Sequence, residues 1–311
     1  MASLTQSLKN GTVRPASLSW IALITVWFLW GSTYLGIRVA VQTIPPFLMA
    51  GSRYLIAGSL LALILWITQR ERLTPVKWSD LRSVVITAVL LLVVSNGLLS
   101  WAEVHIQSSL AALIVSGVPI WMVLLDALLY TRKIQPIAML GMAVGSIGMV
   151  LLVGIPSGHV PIVTAVILIG GSLCWAFGSV LARRRHGHRT HPLFPALEMI
   201  VAGVLSWVVG IAAGELHGFH LSAVTLPSIG GFLWLIVMGS MVGYTAFAYM
   251  IRTLPTHVSS TYAYVNPVVA VVLGAAILHE PVTLNILAGG ATIVTAVVII
   301  LLGTQTQRKE V

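Results

Sequence analysis

The sequence is poor in charge and contains a single cysteine. Only 8% of its 311 residues are charged, whereas soluble domains average about 25%. Cys174 lies in an apolar run, which excludes a disulfide framework and a thiolate metal site. Acidic residues number 8 against 17 Lys and Arg, so the formal net charge is +9. Such a charge can indicate nucleic-acid binding, but its distribution along this chain indicates otherwise.

What the sequence has in abundance is apolar runs of bilayer length, since 58% of it is hydrophobic. A helix needs about 20 residues to cross a bilayer. The pattern predicts an all-α polytopic membrane protein with ten transmembrane helices, short connections and tails at residues 1–17 and 304–311. The predicted spans are Leu18–Ala40, Pro46–Thr68, Asp80–Ala102, Ser108–Tyr130, Pro136–Gly154, Pro161–Ala182, Pro192–Gly214, Ile229–Ile251, Val258–Leu278 and Leu284–Leu302.

The basic residues fall on one side of this arrangement. If the N-terminus is cytoplasmic, every Lys and Arg except Arg38 and Arg53 lies at the cytoplasmic side. This is the bias that the positive-inside rule describes. It predicts that both tails are cytoplasmic in an inner (plasma) membrane protein. It also explains the net charge without a nucleic-acid partner.

Weak internal similarity divides the chain into two halves, residues 18–155 and 156–303. A shift of 148 residues aligns Pro119 with Pro267 and keeps the predicted spans in phase. Each half then holds five spans, and an odd number inserts the second copy upside down. Inverted repeats of this kind are common among secondary transporters, which place the substrate site between the halves. The sequence therefore predicts two inverted five-helix repeats around a central cavity.

Polar and aromatic side chains within apolar spans are the candidates for the wall of that cavity. Tyr262 and Asn266 are four residues apart and share a helix face. Pro267 is expected to break its helix, as Pro119 is in the first half. The predicted lining consists of Trp30, Asn96, Trp175, Tyr244, Tyr262 and Asn266, in which the two tryptophans align at a shift of 145. The alternative is that these side chains only pack between helices.

Charged side chains inside spans cost about 2.5–3.5 kcal/mol each on insertion scales, so each requires a role. Arg53 and Glu198 differ in depth by roughly 10 Å and are not expected to meet. Their nearer candidate partners are Glu103 and Arg252, respectively. We hypothesise two ion pairs, one at each membrane face, that gate the cavity. The residue inside the span is basic in the first pair and acidic in the second. The alternative is structural anchoring. Glu198 is the first candidate for proton coupling, because a desolvated carboxyl holds a proton more readily.

The sequence gives little support for a metal site, a membrane-embedded enzyme or a passive channel. The histidines lie at span ends or in loops, and none pairs with a midspan carboxylate at helical spacing. No metal or cofactor is therefore expected. Asp126 lies near Arg132 and Lys133, which predicts charge neutralisation. A membrane-embedded enzyme would need converging catalytic groups at one depth, and a passive channel would need continuous polar faces.

Five segments carry a resemblance to a known family: WGSTY, NGLLSWAE, CWAFGSV, ALEMIVAG and TYAYVNPVVAVVLG. They resemble the EamA family of the drug/metabolite transporter superfamily, and within it the YedA-type inner-membrane members, over roughly residues 20–303. The resemblance implies a secondary transporter that exports amino acids or drug-like compounds from the bacterial cytoplasm by alternating access. Import and exchange stay open, as do the substrate and the oligomeric state. The expected partners are a small-molecule substrate and the lipid bilayer, with protons as a candidate coupling ion.

Overall fold

The computed structural model describes residues 16–69, 73, 75–105, 111, 114–130, 134–153, 162–185, 191–278 and 283–308. Within these residues the regular structure is entirely helical. The helices are α1 (Ala16–Ala40), α2 (Pro46–Gln69), α3 (Trp78–Thr87), α4 (Asn96–His105), α5 (Val118–Tyr130), α6 (Pro136–Val153), α7 (Ile162–Arg185), α8 (Phe194–Ala212), α9 (Leu226–Trp234), α10 (Thr245–Thr253), α11 (Thr256–Ser259), α12 (Tyr262–Leu278) and α13 (Leu284–Arg308), with a 3₁₀ turn at Leu221–Ala223.

Two of the long helical rods contain a π-helical middle. The segment π1 (Ala88–Ser95) joins α3 to α4, and π2 (Leu235–Tyr244) joins α9 to α10. Each complete rod is 28 residues long. The rods correspond to the third and eighth predicted spans, which are counterparts in the two predicted halves. π-Helical turns are frequent at functional sites, and both segments border the cavity described below.

Among the described residues, six helical rods are long and apolar enough to cross a bilayer, which makes the chain a multi-pass membrane protein. They are Ser17–Ala40, Pro46–Gln69, Trp78–His105, Ile162–Arg183, Phe194–Ala212 and Leu226–Thr253. Shorter apolar helices include Val118–Tyr130, Pro136–Leu151 and Leu287–Leu302. The count of ten spans stays a prediction. The predicted N-terminal tail falls largely outside the described residues, whereas α13 continues past the predicted boundary at Leu302 to Arg308 and includes most of the predicted C-terminal tail.

The predicted helix break at Pro267 is wrong. Pro267 lies inside α12, which is helical from Tyr262 to Leu278. The chain turns earlier, at Ser260 and Thr261. A membrane helix tolerates such a proline because packed neighbours satisfy the freed backbone groups. Pro119 is the second residue of α5, where its missing N–H would have no intrahelical partner.

Glycines allow the closest helix crossings. The most extensive contacts between helices join α2 to α8 and α6 to α13. A Cβ built on Gly58 in α2 would lie 2.8 Å from the carbonyl oxygen of Ala196 in α8. A Cβ on Gly203 in α8 would lie 2.7 Å from the amide nitrogen of Leu55 in α2. Small residues let helices approach closely in lipid, so these positions fix the α2–α8 pair.

The two ends of the bundle are named here for residues that lie there. At the Glu103 end, α1 and α4 finish and α2 begins. Glu215, in the turn after α8, caps α2 there by accepting hydrogen bonds from the backbone N–H groups of Phe47 (3.1 Å) and Leu48 (2.9 Å). At the Thr256 end, α5 and α7 finish beside α11.

Candidate functional site

A cavity, whose empty space of about 680 Å³ includes open solvent, lies among α1, α2, α4, α5, α7, α12 and the two π segments. The wall takes residues from both predicted halves. All six residues predicted to line a cavity are found there, namely Trp30, Asn96, Trp175, Tyr244, Tyr262 and Asn266. Their contact with a substrate stays a prediction.

Four aromatic side chains, Trp30, Trp175, Phe247 and Tyr262, pack into what we call the aromatic layer. The Trp30 ring centroid lies 5.4 Å from that of Trp175, 4.8 Å from that of Phe247 and 5.4 Å from that of Tyr262. Trp175 Nε1 donates to the Tyr262 hydroxyl (2.6 Å), and Trp30 Nε1 donates to the carbonyl oxygen of Gly239 (3.1 Å). With these polar atoms bonded, the rings are fixed and present apolar surface. Phe247 follows Tyr244 by about one helical turn, so the layer lies on the Thr256 side of the cavity.

Asn266 ties two helices of the wall together. It is buried, and its amide nitrogen, in the orientation that suits its neighbours, donates to the carbonyl oxygens of Tyr262 (3.0 Å) and Trp27 (3.1 Å). The glycine at position 31 permits this approach of α1 to α12. A Cβ on Gly31 would lie 2.6 Å from the Val269 Cβ and 2.9 Å from the Asn266 carbonyl oxygen.

Arg53 brings the one charged side chain found among the described residues of the cavity wall. It is only 4% exposed. Its Nε donates to the hydroxyl of Ser240 in π2 (2.7 Å), and its guanidinium carbon lies 5.0 Å from the Tyr54 ring centroid. The Nη1 atom is buried and has no hydrogen-bond partner in the described part of the chain. The wall therefore holds a cation whose donors are mostly unused.

The predicted ion pair between Arg53 and Glu103 is wrong for this conformation. Glu103 is fully buried, and neither carboxylate oxygen has a hydrogen-bond partner within the described residues. Arg38 donates to the Glu103 backbone carbonyl oxygen and is the basic group that acts electrostatically on its carboxyl. The two residues fail to meet because Arg53 extends toward π2, whereas Glu103 faces α1.

Glu198 has two hydrogen-bond partners that were not predicted. Glu198 is 2% exposed, and its carboxylate accepts hydrogen bonds from the Thr87 hydroxyl (2.6 Å) and the Tyr244 hydroxyl (2.8 Å). Arg252, the predicted partner, acts on it electrostatically. Because Tyr244 also lines the cavity, its hydroxyl connects a buried carboxylate to the cavity wall.

A polar contact at the Thr256 end was not predicted. The Thr256 hydroxyl donates to Asp126 Oδ2 (2.8 Å) and accepts a hydrogen bond from Arg183. We call these three residues the Thr256 cluster. It joins α5 to α7 and α11, and hence the two predicted halves. Asp126 was predicted to be neutralised by Arg132 and Lys133, and both of these lie outside the described residues.

The cavity has the chemistry of a binding site for an organic molecule: aromatic rings, uncharged hydrogen-bonding groups and one cation. Over the residues that the structure describes, no group of three His, Cys, Asp or Glu side chains is placed to hold a metal ion. A cavity of this composition inside a bundle of long apolar helices is the arrangement of a multi-pass membrane transporter.

Comparison with known proteins agrees with this class. The chain belongs to the EamA-like transporter family, whose family model matches it twice, at residues 17–154 and 162–302. Most of each predicted half is therefore covered by its own match. The chain is accordingly a membrane transporter, and the predicted resemblance to the EamA family is confirmed.

Similar proteins are known from several bacteria. The chain is 36% identical over 298 residues to the uncharacterized inner membrane transporter YedA of Escherichia coli K12, which covers 91% of this chain and 90% of YedA. It is 27% identical over 277 residues to the protein PecM of Dickeya dadantii, with 88% of each chain covered. A solved crystal structure shares the fold, with a TM-score of 0.77 at 18% identity over 94% of this chain and 99% of the other. The relatives support a multi-pass protein of the inner membrane.

Proposed function

We propose that the protein is a secondary transporter that exports small metabolites, such as amino acids or drug-like compounds, across the bacterial inner membrane by alternating access. The observation that carries this proposal is the cavity, because its wall is built from both predicted halves and the aromatic layer lies on one side of it. A cavity of this kind is what a carrier needs to expose one site to two compartments in turn. Membership of the EamA-like transporter family supports the same function.

The carrier would use ten spans in two inverted repeats, residues 18–155 and 156–303. The helix contacts support this symmetry. Helix α1 packs on α12 and on the α9–π2–α10 rod, while α7 packs on α5 and on the α3–π1–α4 rod. Helix α2 contacts π2, and α8 contacts π1. Each contact becomes the other when the two predicted halves are exchanged, as an inverted repeat requires.

The test of transport is gradient-driven flux in proteoliposomes. A growth-protection screen of overexpressing cells against amino acids, their analogues and toxic amines first supplies a compound. We expect the reconstituted protein to concentrate this compound under an imposed pH gradient, and a protonophore to abolish the accumulation. Equilibration without concentration would indicate a channel instead of a coupled carrier. If cells that express the protein accumulate the compound instead of expelling it, the proposed direction of transport is wrong.

Glu198 is the residue that we propose for proton coupling. Its carboxylate is buried and reaches the cavity through the Tyr244 hydroxyl, so protonation there can change the wall to which a substrate binds. We expect Glu198→Gln to abolish the dependence of flux on the pH gradient. Thr87→Val is the matched control, because it removes one hydrogen bond and keeps the carboxyl. If Glu198→Gln retains the pH dependence of the unmodified protein, the assignment is wrong.

The sidedness of the bundle also follows from charge. The basic residues predict that the Thr256 end is cytoplasmic, with both termini on that side. The cavity of this structure would then be closed toward the cytoplasm by the aromatic layer and the Thr256 cluster. A C-terminal green fluorescent protein fusion should fluoresce and a C-terminal alkaline phosphatase fusion should be inactive. The opposite pair of results would invert the orientation and with it the direction of export.

A further inference from the structure

We propose that the cavity selects organic anions, specifically carboxylates with an aromatic or aliphatic body, and that the guanidinium of Arg53 binds the carboxylate. The proposal rests on the transport function proposed above and adds to it the charge class of the substrate. The inference follows from three features of the cavity wall. Arg53 is a buried cation with unused hydrogen-bond donors, no Asp or Glu of the described residues lines the cavity, and the indole N–H groups of the two tryptophans are already hydrogen-bonded.

The first feature is the hydrogen-bonding state of Arg53. A guanidinium has five N–H donors, and the hydrogen bond recorded for Arg53 uses only Nε, to Ser240. Its Nη1 is buried without a hydrogen-bond partner among the described residues. A buried polar group in this state calls for a partner that the protein does not itself supply. A carboxylate fits, because its two oxygens match the fork of a guanidinium and form charge-assisted hydrogen bonds.

The second feature is the lack of a competing acid. No Asp or Glu of the described residues belongs to the cavity wall. Glu103 lies near the C-terminal end of α4, whereas Asn96, at the start of α4, lines the cavity. Glu198 already accepts hydrogen bonds from Thr87 and Tyr244. A bound ligand whose only charge is an ammonium would therefore lose its hydration without gaining a carboxylate, and Arg53 would repel it. The wall thus favours an anion over a cation of the same shape.

The third feature concerns the body of the ligand. The Nε1 atoms of Trp30 and Trp175 are bonded to Gly239 and Tyr262. The aromatic layer consequently offers ring surface instead of further donors. A small inorganic anion would leave that surface of the cavity wall uncovered. An apolar or aromatic group attached to the carboxylate would bury it.

The experiment compares three ligands that share one body and differ in charge. They are 3-phenylpropionate, 3-phenylpropanamide and 3-phenylpropylamine, each titrated by calorimetry into the purified full-length protein in detergent. We expect the carboxylate to bind at least about tenfold more tightly than the amide, as one added charge-assisted hydrogen bond implies. We expect the amine to bind more weakly than the amide.

Variants assign the preference to one residue. Arg53→Gln should bring the carboxylate and the amide to within about twofold of each other. Arg38→Gln is the matched control, because Arg38 is bonded to the Glu103 backbone and is not among the residues of the cavity wall. Arg53→Lys keeps the positive charge and should keep the order of the ligands at reduced affinity. This second variant preserves the test if Arg53→Gln does not fold.

The outcomes separate this inference from the transport function. Equal binding of the three ligands, tighter binding of the amine, or no binding of the carboxylate would each overturn the inference. A carboxylate preference that persists in Arg53→Gln would overturn it too, since another group would then be responsible. If the carboxylate binds as expected but proteoliposomes never move any compound, the anion site stands and the proposed transport function fails. If amines are transported and carboxylates are not bound, transport stands and the anion inference fails.

Discussion

The crossing of α2 and α8 at Gly58 offers a direct test of the fold. An alanine there would place its Cβ 2.8 Å from the Ala196 carbonyl oxygen and 2.9 Å from the Ile200 amide nitrogen. Both are backbone atoms that cannot rotate away, so the helices must separate, and overpacking of this kind costs about 1–3 kcal/mol. Replacing a glycine within a helix by alanine gains about 0.8–1.0 kcal/mol of helix propensity. The packing cost therefore equals or exceeds the gain.

Gly170 in α7 supplies a matched control, because a Cβ there meets no other atom within 4 Å. Gly170→Ala keeps the gain in helix propensity without a clash, so the difference between the two variants isolates the α2–α8 contact. At roughly 2–4 °C per kcal/mol, we expect Gly58→Ala to melt about 2–12 °C below Gly170→Ala. The assay is size-exclusion chromatography of heated samples in detergent. Equal melting temperatures would refute the crossing.

Two further predictions concern the Thr256 end. Thr256→Val removes the hydroxyl between the buried Asp126 carboxylate and the half-buried Arg183 guanidinium, and it should cost about 1–3 kcal/mol. The loss should appear as a lower melting temperature than that of Thr253→Val, whose hydroxyl bonds within its own helix; equal melting would deny the cluster a structural role. His257 lies in the short helix α11, where burial, with help from the Arg183 charge, lowers its pKa to about 4. Since the unfolded pKa is about 6.5, stability should fall as the pH drops from 6.5 toward 4, and a His257→Gln variant whose melting temperature falls as steeply would contradict this.

The composition of the cavity wall could be predicted from the sequence because its members are unusual for a membrane span. Asparagine, tyrosine and tryptophan within apolar runs have few stable surroundings in lipid, so their presence already indicates a protein interior. The spacing of Tyr262 and Asn266 placed both on one helix face, and both are in the wall. The π segments could not be predicted, because Ala88–Ser95 reads as an ordinary apolar helix.

The partners of the charged residues could not be predicted from depth alone. Depth along a span follows from counting residues, but the direction of a side chain around the helix axis depends on how neighbours pack. Arg53 therefore reaches Ser240, and Glu198 reaches Thr87, although neither hydroxyl stands out in a sequence where Ser and Thr are frequent within spans. The Thr256 cluster was missed for the same reason, because it joins segments 130 positions apart.

The aromatic layer has a consequence for how the passage could open. Trp30 belongs to the first half and Tyr262 to the second, and their rings meet edge to face. Any movement that admits solvent from the Thr256 side must separate these two rings. A substrate bound against the rings would therefore contact the same side chains that close the cavity. Substrate binding and opening of the cavity would then involve the same atoms, and no coupling through the rest of the bundle would be needed.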